Sequence, residues 1–143
     1  MGDTKGMLPL GKHLIRIEGD TLFMVTRGVV TGDEMVELFG RFDEIKREHG
    51  MLFVLFDSRL NTGMEPQARK FALEQTDVGR GADLQVLFGA SFGVRVIINM
   101  ILSALKLLGK KSTSVYMMGA ESEARAFFEQ ERERVRRELK KSP

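Results

Sequence analysis

The chain contains no cysteine. Disulfides and thiolate metal sites are therefore excluded, and so is a thiol nucleophile. Histidine is scarce, with only His13 and His49 in 143 residues. No apolar run reaches the ~20 residues that a membrane-spanning helix needs. Met1 to Leu10 holds one lysine and a scattered apolar trio, without the long apolar segment of a secretory signal. The expectation is a cytoplasmic protein with no transmembrane segment. Formal net charge is only +2, so charge gives no ground for expecting nucleic acid as a partner.

What is present fits one domain. A chain of 143 residues with 43% hydrophobic content can bury a core without staples. Residues 1–10 read as a flexible N-terminal arm and 11–141 as a single α/β domain. His13 to Glu18 alternates apolar and polar side chains, which is strand periodicity. Gly19-Asp20 makes a turn, and Thr21 to Arg27 returns as the second strand of a hairpin. Thr31-Gly32-Asp33-Glu34 is a capping box, in which the Thr31 hydroxyl and the Glu34 carboxylate each reach the other's backbone N–H. Met35, Leu38, Phe39, Phe42 and Ile45 follow at helical spacing, and Gly50 closes the segment. The spacing predicts a helix from about Gly32 to His49.

Met51 to Phe56 is wholly apolar and suits a strand buried on both faces. Ser58 to Pro66 reads as a turn-rich connection, and Pro66 fits the first turn of a helix running to Gln75. Asp77 to Asp83 (DVGRGAD) reads as a flexible loop, and Leu84 to Phe88 as a strand. A third helix is predicted from Phe92 to Leu108, capped by Gly109, then a strand within Lys111 to Met118. A fourth helix opens at Ala120-Glu-Ser-Glu123, acidic at its start and basic at its end, as the helix dipole favours. Its basic end, Arg132 to Lys141, reads as a solvated helix surface. The order is ββαβαβαβα, an α/β fold with a mixed sheet of about five strands opened by a hairpin, and about four helices.

Gly89-Ala90-Ser91-Phe92-Gly93 matches the G-x-S-x-G elbow of serine hydrolases and lies between a strand and a helix. That chemistry needs an acid and then a histidine after the serine, and no histidine follows Ser91. Ser91 is better read as a helix N-cap. A milder reading places an anion at this helix start, near Ser91 and Arg95. Asp57, Asn61 and Thr62 follow a buried strand, where open α/β sheets bind ligands. Glu65, Asp57 and Asp83 lack metal-site spacing, and no cofactor or metal is expected.

Phe92 to Leu108 is the most unusual segment. Its polar side chains are Arg95, Asn99, Ser103 and Lys106, on one narrow stripe. A helix packed on a sheet needs only a ~100° apolar arc. The surplus, represented by Val94, Ile98, Ile101, Leu102 and Leu105, must meet other elements of the domain, a second subunit, or a lipid, apolar ligand or membrane surface.

This layout resembles the STAS domain. The resemblance spans about Gly11 to Lys140 and rests on the order and length of the elements. The family's local signature is Asp-Ser-Ser-Gly-Leu, and Leu60-Asn61-Thr62-Gly63-Met64 is the nearest match. The resemblance implies a non-enzymatic regulatory domain with a protein partner. Thr62 would be the phospho-acceptor at the start of the second helix, followed by Gly63. The chain also looks like the divergent STAS-like group similar to CRAL-TRIO lipid-binding domains.

Overall fold

The computed structural model describes residues 6–109 and 115–141. The described elements are β1 (Leu8–Leu10), β2 (His13–Glu18), β3 (Thr21–Val30), α1 (Gly32–His49), β4 (Phe53–Met64), α2 (Pro66–Asp77), β5 (Leu84–Phe88), α3 (Phe92–Leu107), β6 (Val115–Met118) and α4 (Glu121–Lys141). The six strands form one sheet in chain order. The pairs β1–β2 and β2–β3 are antiparallel, and β3 to β6 run parallel. Because every parallel crossover steps the same way, the right-handed rule puts α1, α2 and α3 on one face. The C-terminal α4 covers the other.

The two faces have separate cores. Met24 and Val54 of the sheet pack with Leu38, Phe39 and Phe42 of α1 and Ala68 of α2. Phe53, Leu55 and Val86 point the other way, onto Ala124, Phe128 and Val135 of α4. Alternate residues of one strand serve opposite cores, as a strand's period of two requires. Arg132 of α4 lies over the Phe53 ring and pairs with Asp20, while Arg134 and Arg136 pair along the helix with glutamates.

The α1 helix has the predicted bounds. Both bonds of its capping box are present, and Gly50 closes it at φ 78°, a left-handed conformation that costs glycine little. Elsewhere the structure corrects the sequence reading. Leu8–Leu10, assigned to a loose arm, is an edge strand paired with β2. The loop after α2 is pinned rather than free. Arg80 donates to Asp43 at 2.7 Å and to Gln75 at 2.6 Å, and Asp83 accepts from the Leu52 N–H at 2.8 Å. Residues 111–114 of the predicted strand lie outside the described residues.

The largest correction concerns β4. The apolar run predicts an end at Phe56, yet the strand runs on to Met64. The reason lies across the sheet. The ten-residue β3 presents its backbone edge as far as Val30, and β4 follows it. Two irregularities absorb the Ser, Asn and Gly that read as turn formers. Two steps of β3 (Val25 to Arg27) face three of β4 (Asp57 to Leu60), and one step (Gly28 to Val29) faces two (Asn61 to Gly63). Each is a bulge, which reverses the facing of the side chains beyond it.

An apolar cleft as the candidate functional site

The α3 helix packs against α2 and β4. Only Val94 and Leu105 near its two ends are buried. Between them the helix stands off the sheet, over a cleft enclosing about 910 Å³, part of it open to solvent. The sheet contributes Met24, Phe56 and Leu87, α1 contributes Leu38 and Phe42, and α2 contributes Ala72 and Thr76. The α3 side is formed by Val94, Ile98, Ile101, Leu102 and Leu105 with Ile97. Part of the helix's surplus apolar surface thus lines a space within this chain. The rest faces outward: Phe92 is 81% exposed, Leu107 88%, and Val96, Met100 and Leu108 are exposed with them.

The bulges of β4 bring its polar residues to this cleft. Ser58, Asn61, Gly63 and Met64 all line it. Asn61 Oδ1 accepts from the Gly63 N–H at 2.8 Å, which leaves the amide NH₂ as its free donor group. Thr26 also lines the cleft and donates its hydroxyl to the Asp57 carbonyl at 3.1 Å. Ser58 is 1% exposed, and its Oγ has no hydrogen-bond partner among the described residues. Sequence reasoning treated Ser58 as a turn former and missed Thr26. The available signal was parity, because Val54, Phe56 and Ser58 fall on one face of an unbroken strand.

Other predicted site residues lie apart from the cleft. Asp57 is buried and accepts from the Arg59 guanidinium at 2.9 and 2.7 Å and from the Arg59 N–H at 3.2 Å. Arg59 lies over the Phe88 ring and across Gly89, whose φ of +71° no L side chain adopts readily. Thr62 is exposed at the second bulge within β4, four residues before Pro66 opens α2. It therefore does not stand at the start of a helix. Glu65 accepts from the Gly32 N–H at 3.0 Å. With Asp57 on Arg59 and Asp83 on the Leu52 backbone, the three acids have separate tasks.

Ser91 caps α3, its Oγ accepting from the Val94 N–H at 3.3 Å. Its φ of −69° is ordinary extended backbone, unlike the strained turn of a nucleophile elbow. Arg95 folds back to donate to the Ala90 carbonyl at 3.2 Å. Both His13 ring nitrogens are engaged. Nδ1 accepts from the Arg27 N–H at 2.9 Å, so Nε2 carries the proton and donates to Glu34 at 2.9 Å. His49 ends α1, at the end of the sheet where β4 begins, whereas Ser91 follows the opposite end of β5.

Glu34 sits at a junction. Its carboxylate accepts from Lys12 N (3.1 Å), Lys12 Nζ (2.8 Å), Thr31 N (2.9 Å) and His13 Nε2. Burial alone would raise its pKa, but these donors outweigh that and bring it down to about 2. Burial holds the His13 pKa below the usual imidazole value, against the opposing pull of Glu34. This cluster ties the β1–β2 turn to the start of α1.

The arrangement of the six strands and four helices among the described residues is a STAS-like fold. The chain is similar to the solved structure of the anti-sigma factor antagonist SpoIIAA in its unphosphorylated form. The TM-score is 0.55 and the identity 10%, over 82% of this chain and 97% of that one. At this identity the likeness establishes the fold alone. No protein-family model matches the sequence, and no curated protein matches it. No helix among the described residues is long and apolar enough to cross a membrane.

Proposed function

We propose that this chain is a non-enzymatic, cytoplasmic regulatory domain that binds an apolar small molecule in the cleft beneath α3. One observation carries the reading: a cleft lined mainly by apolar side chains lies under a helix buried only near its ends. Closing such a space over a ligand removes apolar surface from water at roughly 25 cal/mol per Å². It would also draw α3 down and change the outer surface that a partner meets. The likeness to an anti-sigma factor antagonist supports a regulatory role, and the engagement of both His13 nitrogens supports the absence of catalysis. The test is titration with the neutral, apolar fluorophore N-phenylnaphthylamine. Saturable fluorescence gain with micromolar affinity is expected, along with a higher unfolding midpoint for the loaded protein. Absence of saturable binding would remove this reading.

A second reading is a protein-docking domain whose partner is another protein or a second copy, which the exposed Phe92, Val96, Met100 and Leu107 favour. Thr62 is its candidate switch, because its side chain is exposed and phosphorylation there would add about −1.5 to −2 charges. Thr62→Glu is expected to weaken partner or self-association at least about tenfold, with folding stability held within ~0.5 kcal/mol. Sedimentation and titration of both forms check it. Equal association by both would rule out the switch.

A further inference from the structure

Resting on the cleft reading, we infer that the ligand is an uncharged apolar molecule carrying a hydrogen-bonding group, such as a hydroxyl or carbonyl, which pairs with Ser58 Oγ. Two independent observations carry this. The first is the buried Ser58 hydroxyl, 1% exposed, which lines the cleft and has no partner among the described residues. A buried hydroxyl left unpaired is costly, so native chains satisfy almost all of them. Ser58 stands at the first bulge of β4, and bulges recur where a strand must re-aim side chains beside a site. Asn61 and Thr26 line the same space and add donor and acceptor capacity.

The second observation is the charge of the lining. The polar lining residues are Thr26, Ser58, Asn61, Thr76 and Gln85, and none is ionisable near neutral pH. No lysine, arginine or histidine is among the described lining residues to meet an anion, and no carboxylate is there to meet a cation. An ion drawn in beside Ser58 would lose its water without a counter-charge. A neutral head group loses far less and gains the waiting hydroxyl. The site therefore selects against fatty-acid anions and for their neutral counterparts.

The experiment is competition for the N-phenylnaphthylamine-loaded protein by decane, decanol and decanoate, at a mildly alkaline pH where decanoate is ionised. Decanol is expected to compete about tenfold better than decanoate and about fivefold better than decane. Ser58→Ala is expected to bring decanol to the level of decane. It is also expected to raise the unfolding midpoint of the ligand-free protein, because it deletes an unpaired buried hydroxyl. Equal competition by all three leaves the cleft reading standing and overturns the head-group assignment. So does an unchanged decanol affinity in Ser58→Ala, or a lowered midpoint. Failure of all three compounds to displace the probe overturns the cleft reading itself.

Discussion

Replacing Glu34 with alanine is expected to cost about 3 kcal/mol of folding stability at neutral pH. Two lost contacts account for that size. Loss of the capping bond to the Thr31 N–H costs roughly 0.5–2 kcal/mol, and leaving the buried His13 Nε2–H without an acceptor costs roughly 1–3 kcal/mol. The same contacts bring the carboxyl pKa from 4.5 down to about 2, which corresponds to about 3 kcal/mol at ~1.36 kcal/mol per pH unit. That is a large share of the ~5–15 kcal/mol of a typical domain.

The pH dependence follows from the same two groups. The folded value for Glu34 lies below the unfolded one, so its stabilisation is complete above about 4.5 and is lost as the pH falls toward about 2. Burial favours neutral His13 and holds its pKa below the usual imidazole value of 6.5. Its contribution is complete above 6.5 and is lost as the pH falls through its depressed value. Both effects weaken the fold in acid. Urea unfolding at a series of pH values checks the prediction, and the Glu34→Ala protein is expected to lose the lower part of the acid slope. A variant with the native slope would show that the junction between the β1–β2 turn and α1 does not depend on this carboxylate.

Leu102→Trp is expected to lower the affinity for N-phenylnaphthylamine at least about tenfold, with stability changed by less than about 1 kcal/mol. Leu102 lines the cleft and is only partly buried. A larger ring there fills space that is already open, so the overpacking strain of a filled core does not arise. Met100→Trp is the control, because Met100 is 55% exposed and is not among the cleft-lining residues. The control protein is expected to bind the probe like the parent. Equal loss in both variants would place the probe on the outer face of α3, and loss in neither would empty the cleft of its role.

The fold was legible wherever the signal was local. The capping box at Thr31 and Glu34 and the closing Gly50 fixed α1 to the residue. The chain order of strands and helices, with right-handed crossovers, was enough for a mixed sheet. The site was legible only in part. The greasy stripe of α3 was visible, including the five residues that now line the cleft. At its polar end Asn61 and Gly63 were among the expected ligand residues, but Ser58 and Thr26 were not, because Ser58 is a turn former by composition and a strand residue in fact.

By itself the sequence determined the elements whose hydrogen bonds close within a few residues, and it ruled out thiol chemistry through the lack of cysteine. Only the tertiary structure decided that β4 continues to Met64, that Leu8–Leu10 joins the sheet, and that the Ser58 hydroxyl, beside the cleft, has no partner among the described residues. The physical reason is that strand pairing and burial depend on groups brought close by the fold. Val25 meets Asp57 across the sheet, 32 residues along the chain, and no local pattern carries that information.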